Sequence, residues 1–254
     1  MRIVVVALCG AIFGTLASPA FADDPPADPS AAPPAEPSAP AVAASAPAHA
    51  PKFSLWVGPR ISYGGFAFDF YRNPDGNKET TGNLVGGGVS PEIDLGVRLF
   101  FHYTPYLFYE HGFMAPGHRF DGEADASAST DYYGVGFRYL SNRGELASFV
   151  ADVAVGRRVL TLKNNGQTYT MSGFELLRLG IGAEFRMSDF LTLEPLLGFS
   201  GGKLTSTSGN VMFAPGSGDK LTSPPFKDGQ GIDDARAYVM ISLGVGGHFD
   251  LFGK

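Results

Sequence analysis

The sequence predicts an all-β chain, an eight-stranded antiparallel up-and-down β-barrel of transmembrane type, and three observations carry that expectation. The first is alternation with period two. Val89, Pro91, Ile93, Leu95, Val97, Leu99, Phe101 and Tyr103 share one phase, while Ser90, Glu92, Asp94, Gly96, Arg98, Phe100 and His102 fall in the other. Side chains alternate across a strand, so this segment offers one face to an apolar medium and carries charge on the other. The same division recurs in Ser148 to Gly156 and in Arg178 to Arg186. The second observation is that connections alternate between long and short. The third is that no stretch beyond the first 22 residues reaches 18 uninterrupted apolar residues, which excludes a spanning helix and leaves a closed barrel, the only other structure that satisfies its backbone in hydrocarbon.

In chain order, 1–22 reads as a cleaved signal peptide: Arg2, an apolar run through Leu16, the helix-breaking Pro19, and Ala20-Phe21-Ala22 as a small-x-small cleavage site. The only cysteine, Cys9, leaves with it, and with Leu8 before it no lipid attachment is expected. Residues 23–51 contain 9 Pro and 11 Ala in 29 positions without apolar periodicity. Proline at that density blocks sheet and helix bonding, so a disordered linker with polyproline character is expected. The barrel should then occupy 52–254. Eight alternating segments lie at about 53–66, 89–102, 105–114, 130–141, 148–162, 170–186, 190–200 and 236–250. Connections after the second, fourth and sixth are short (102–104, 142–147, 187–189); those at 67–88, 115–129 and 201–235 are long, and 163–169 is the exception. Short turns at one end and long loops at the other, with an even strand number, place both termini at the short-turn end.

The charged phase is also the glycine-rich phase: Gly58, Gly96, Gly112, Gly134, Gly136, Gly156, Gly180, Gly182, Gly244 and Gly246 share it with Arg and Glu. A narrow lumen needs small residues and a lipid face does not, which is the reverse of a soluble barrel. Phe53, Phe101, Tyr103, Tyr139, Phe149, Phe185 and Phe249 lie on the apolar phase near the short-turn end and are expected to form an interfacial aromatic girdle.

On segments such as Thr104-Pro105-Tyr106-Leu107-Phe108 and Tyr133-Gly134-Val135-Gly136-Phe137-Arg138-Tyr139, the chain from about 53 to 252 resembles the small eight-stranded outer-membrane β-barrel proteins, the OmpW, OmpX and OmpA-transmembrane-domain type. The resemblance implies the outer membrane of a Gram-negative-type bacterium, a monomer, and as partners outer-membrane lipid or lipopolysaccharide, the barrel assembly machinery and an extracellular ligand on the long loops. Gly246, Phe249 and Leu251 match the Gly-x-x-aromatic-x-apolar assembly signal of such barrels, although Gly253 and Lys254 follow Phe252 and Gly244 stands where a polar residue is usual. No peptidoglycan-binding domain is expected after the barrel, so an OmpA-like anchoring role is not implied.

The expected lumen charges are Arg60, Arg98, Arg138, Arg158, Arg178 and Arg236 against Glu92, Asp94, Glu110, Asp152, Glu184 and Glu194. An eight-stranded barrel is only wide enough inside for side chains, so buried charges must pair, and guanidinium suits bidentate carboxylate. A structural or surface-interaction role with a closed lumen follows. The balance of signs argues against an ion-selective pore, and the alternatives are a narrow porin-like channel for small solutes or hydrophobic molecules and, third, a lipid-modifying outer-membrane enzyme. That enzyme would use His111 or His118 as base and Ser200 or a loop serine as nucleophile. Gly198-Phe199-Ser200-Gly201-Gly202 fits Gly-x-Ser-x-Gly but lacks the strand-to-helix turn. Asp75, Glu79, Asp228, Asp233 and Asp234 miss calcium-loop spacing, so no metal, no cofactor and no catalytic residue is expected, and a net charge of −6 leaves no nucleic-acid footprint.

Overall fold

Strand β1 (Phe53–Arg72) alternates Phe, Leu, Val and Ile with Ser, Trp, Gly and Arg, and this pleated apolar-out, polar-in pattern is repeated by every long strand that follows. The computed structural model describes residues 51–72, 78–141, 147–188, 190–214, 232 and 234–253. These lie in the unit Ser45–Lys254; the unit Met1–Ala44, with the expected signal peptide and most of the Pro/Ala linker, falls outside the described residues.

After β1 come β2 (Lys78–Thr80), the short helix α1 (Thr81–Leu84), β3 (Val85–Leu99), β4 (Tyr103–Pro116), a 3-10 turn (His118–Phe120), β5 (Ser127–Leu140), β6 (Ala147–Asn164), β7 (Gln167–Arg186), β8 (Thr192–Gly209), β9 (Ala237–Gly246) and β10 (Phe249–Leu251). All eight expected segments are present, and most run further toward the long-loop end than the alternation implied. β9 and β10 form a single eighth strand, since both pair with β1 in one register (Arg60↔Gly246, Val57↔Phe249). Between them Gly247 donates to the carbonyl of Pro59, which has no N–H to return the bond.

The order around the sheet is β1, β3, β4, β5, β6, β7, β8, then β9 and β10 against β1 again, every pairing antiparallel. The cross-strand row from Leu99 through Tyr103, Tyr139, Ala151, Ile181, Leu197, Leu243 and Tyr63 returns to β3 at Val89, ten residues up the strand on which it began. That stagger tilts the strands by roughly 40°, and closure leaves no unpaired long edge.

Two turns fit their residues in different ways. Asn165 (φ 49°) and Gly166 (φ 74°) join β6 to β7 as a two-residue hairpin, the left-handed pair for which Asn-Gly is suited. At the opposite end, Phe100 (φ 52°) and Phe101 (φ 70°) hold the same unfavourable region, so Phe101 belongs to a turn and not to the apolar strand phase expected for it. Arg98 holds this turn from within by donating to the Phe101 carbonyl at 3.3 Å.

The outward phase is apolar and exposed, with Leu95, Val97, Leu107, Val135, Val155, Leu179, Ile181, Leu243 and Val245 on it. Phe53, Tyr103, Tyr139, Phe149, Phe185 and Phe249 face outward at the short-turn end, and Phe100 packs edge-on to Phe53 at 5.4 Å. The assembly-signal residues Phe249 and Leu251 also face outward, on β10 beside β1, while Gly246 ends β9. The inward phase divides in two. Toward the long-loop end it is apolar, with Phe70, Leu84, Val85, Met114, Phe120, Leu160, Leu162, Met171, Leu204, Val211, Phe213 and Ile232 in one buried cluster. Below that it is charged.

Candidate functional site

The charged interior is stacked in layers: long polar side chains share the inward phase with glycines and aromatic rings, and several face each other across strands (Arg60↔Glu92↔Glu110, Arg138↔Asp152). Gly136 makes room for Tyr106, whose ring would lie 2.2 Å from a Cβ at that position, and Gly58 makes room for Trp56 in the same way, at 2.9 Å. These are close approaches that only a hydrogen side chain permits.

In the layer nearest the short turns, Arg98 Nε donates to Asp250 Oδ1 at 2.9 Å and Arg186 Nη2 donates to Glu184 Oε1 at 3.0 Å and Asp250 Oδ2 at 3.1 Å. Arg98 Nη2 also lies 2.5 Å from His248 Nε2. On the other side of the ring His248 Nδ1 lies 2.6 Å from Glu194 Oε1 and 2.8 Å from Thr192 Oγ1, and Nε2 lies 3.3 Å from Asp250 Oδ2. In the next layer Arg138 donates Nε and Nη2 to Asp152 Oδ2 at 3.0 and 2.9 Å and Nη1 to Glu194 Oε2 at 2.7 Å. Its guanidinium lies 4.6 Å from the Trp56 ring. Tyr106 Oη donates to Asp152 Oδ1 at 2.5 Å, and Arg60 is bonded to Asp94. In the layer above, Arg178 Nη2 donates to Glu92 Oε2 at 2.6 Å and approaches Glu110 at 3.5 Å, Arg158 donates to Glu110 at 3.1 Å and to Glu175, and Tyr238 Oη donates to Glu175 at 3.0 Å. Above this lies the apolar cluster. One buried ion pair there, Arg119 to both oxygens of Glu79 (3.1 and 2.7 Å), joins the short strand β2 to the 3-10 turn after β4.

Eleven of the twelve expected lumen charges lie in this network: Arg60, Glu92, Asp94, Arg98, Glu110, Arg138, Asp152, Arg158, Arg178, Glu184 and Glu194. Arg236 does not. It lies before β9 begins, is exposed, and pairs with Asp234 at 3.0 Å outside the charged interior. Four further members are Glu175, Arg186, His248 and Asp250. Arg186, His248 and Asp250 share the polar phase of their strands and were legible from alternation. Glu175 was hidden, because β7 carries a bulge at Leu176: Ala154 pairs with Arg178 but Gly156 pairs with Glu175, which switches the inward phase from even to odd numbers.

The residues considered for catalysis do not meet. His111 faces outward from β4 and shares a hydrogen bond with Asp131 at 2.8 Å, His118 is exposed beside Asp121, and Ser200 is buried on the inward face of β8, in mid-strand and not at a turn. Of the acids considered for a cation, Asp75, Asp228 and Asp233 lie outside the described residues, Glu79 is held by Arg119, and Asp234 by Arg236. One oxygen or nitrogen from each of Glu184, Glu194 and His248 falls within a 4.8 Å cluster, but Arg98, Arg138 and Arg186 already donate into that group, and three guanidiniums oppose a cation there.

A family model, the outer membrane protein beta-barrel domain, matches residues 37–249. The chain belongs to that family. Three solved structures are similar to this outer-membrane barrel. Neisserial surface protein A has 10% sequence identity and a TM-score of 0.49, over 78% of this chain and 99% of that one. Ail, the attachment invasion locus protein of Yersinia pestis, has 14% and 0.37 over 77% and 99%, and the outer membrane protein OprG from Pseudomonas aeruginosa 11% and 0.41 over 80% and 98%. Likeness this distant carries no binding or transport property across to the barrel. No curated protein sequence matches the chain.

Proposed function

We propose that this outer-membrane barrel is sealed and works through its outer surfaces, in a structural and surface-interaction role without catalysis, as an exported monomer whose long loops face the cell exterior. The observation that carries this reading is the filled interior. Ion pairs run from Asp250 up to Glu175, the apolar cluster continues above them, and two cavities among the described residues, about 30 and 10 Å³, are large enough only for isolated waters. Breaking such buried pairs costs several kcal/mol each, so the column is a poor candidate for thermal opening. Liposome swelling tests it: vesicles carrying refolded protein should shrink and stay shrunken in small sugars or amino acids, as protein-free vesicles do. Re-swelling would favour passage instead.

That second reading, a narrow solute path, has one specific support. Both cavities are lined by Arg178, Gly198 and Ser242, so the Arg178 side chain is shared between them.

A further inference from the structure

Among the described arginines, Arg60, Arg72, Arg98, Arg119, Arg138, Arg158, Arg178, Arg186 and Arg236 each have a carboxylate within 4.0 Å; Arg157 does not. Arg157 is exposed and faces outward from β6. Along one cross-strand row its neighbours are Tyr133, then Phe174, then Lys203, so two outward cations flank one exposed ring. Lys203 likewise has no carboxylate partner among the described residues. Asp131, diagonal to Arg157 across β5, is turned away toward Tyr109 and His111, which bond it at 2.7 and 2.8 Å.

The height of this row on the barrel wall gives it meaning. Toward the short turns, the outward residues of β6, β7 and β8 are Val155 and Val153, Leu177 and Leu179, Phe199 and Leu197. Toward the long loops they are Val159 and then Thr161 on β6, Ser172 on β7 and Ser206 on β8, with Ser172 accepting from Arg157 at 3.1 Å and bonded to Ser206 at 2.9 Å. Arg157 and Lys203 therefore stand at the upper margin of the apolar band, where hydrocarbon gives way to headgroups. A cation with no carboxylate partner at that margin is stable only if water hydrates it or the lipid supplies its counter-charge.

We infer that Arg157 and Lys203, spaced across Phe174, form a docking site for the phosphate groups of a phosphorylated glycolipid of the outer leaflet, with the acyl chains lying along Val155, Leu177 and Phe199. Arginine offers a planar fork to phosphate, lysine a point charge, and the serine hydroxyls above add donors. The inference rests on the proposed orientation, with the long loops outward, and stands whether or not the lumen conducts.

The test titrates fluorescently labelled lipid A, carrying its phosphates, into the folded full-length barrel in zwitterionic detergent. Wild type should bind about tenfold more tightly than Arg157→Gln/Lys203→Gln, the loss of about one charged hydrogen bond. Lipid A stripped of phosphate should bind wild type as weakly as the intact lipid binds the double variant. Lys52→Gln, a cation removed at the opposite end, should change nothing, and inorganic phosphate at millimolar concentration should leave the complex intact. Equal affinity of wild type and double variant, equal affinity for the stripped lipid, or full displacement by inorganic phosphate would each overturn the assignment. Both substitutions are on the exposed face, and gel mobility of the folded form confirms that any loss of binding is not a loss of fold.

Discussion

Arg138→Ala removes one of the most connected guanidiniums of the interior. Three donated bonds to Asp152 and Glu194 and the stacking on Trp56 disappear together. Breaking a buried ion pair from one side costs about 3 to 5 kcal/mol. The lower end applies here, because Asp152 keeps Tyr106 and Arg60, at 2.5 and 3.7 Å, and Glu194 keeps His248 at 2.6 Å. The lost cation–π contact adds about 1 kcal/mol in a desolvated setting, for a total of about 4 kcal/mol. Trp56 is the only tryptophan and is fully buried beside Arg138, so its fluorescence reports unfolding directly. In urea, with a slope of about 2 kcal/mol per molar, the midpoint in lipid vesicles should fall by about 2 M. A triple variant, Arg138→Met with Asp152→Asn and Glu194→Gln, should recover most of that loss, since it leaves no stranded charge. A shift below about 0.5 M for Arg138→Ala would refute the view that the pairs bear on stability.

Two further outcomes are expected. Leu95→Arg or Leu179→Arg, both exposed on the outward face between the two rims, should each cost about 2 to 4 kcal/mol and lower the folded fraction on gels; wild-type yield for both would mean the outward phase does not face lipid. Single cysteines at Asn165, in the β6–β7 hairpin, and at Ser141, beyond β5, should behave oppositely toward an impermeant maleimide on intact cells: Asn165→Cys labels and Ser141→Cys does not, and the reverse pattern would invert the barrel.

What could be read from the chain follows from how regular each stretch is. Strand identity was legible because alternation at Ile93, Leu95 and Val97 against Glu92, Asp94 and Gly96 is the direct imprint of a two-sided sheet, and the register then carries the charges inward without further information. Single insertions break that logic. The bulge at Leu176 moved Glu175 into the interior, and the left-handed pair Phe100–Phe101 turned an apparent strand position into a turn. The Glu79–Arg119 pair was out of reach for another reason: the three-residue β2 and the 3-10 turn are too short to show a period, and only tertiary packing beside the apolar cluster brings them together. Arg236 was misplaced because its strand begins one residue later, at Ala237. Arg157 shares its register row with Phe174 and Lys203, a neighbourhood that exists only once three strands are aligned.

Closure of the lumen is tested most directly by single-channel recording of refolded protein in a planar bilayer, wild type against Arg178→Ala. Arg178 lines both interior cavities and bonds Glu92. Wild type should insert without stepwise currents, while Arg178→Ala, which joins the cavities and leaves Glu92 with one fewer partner, should show brief openings in a less stable barrel. Frequent, stable openings of the wild-type protein would contradict the sealed interior and make passage of small solutes the better account.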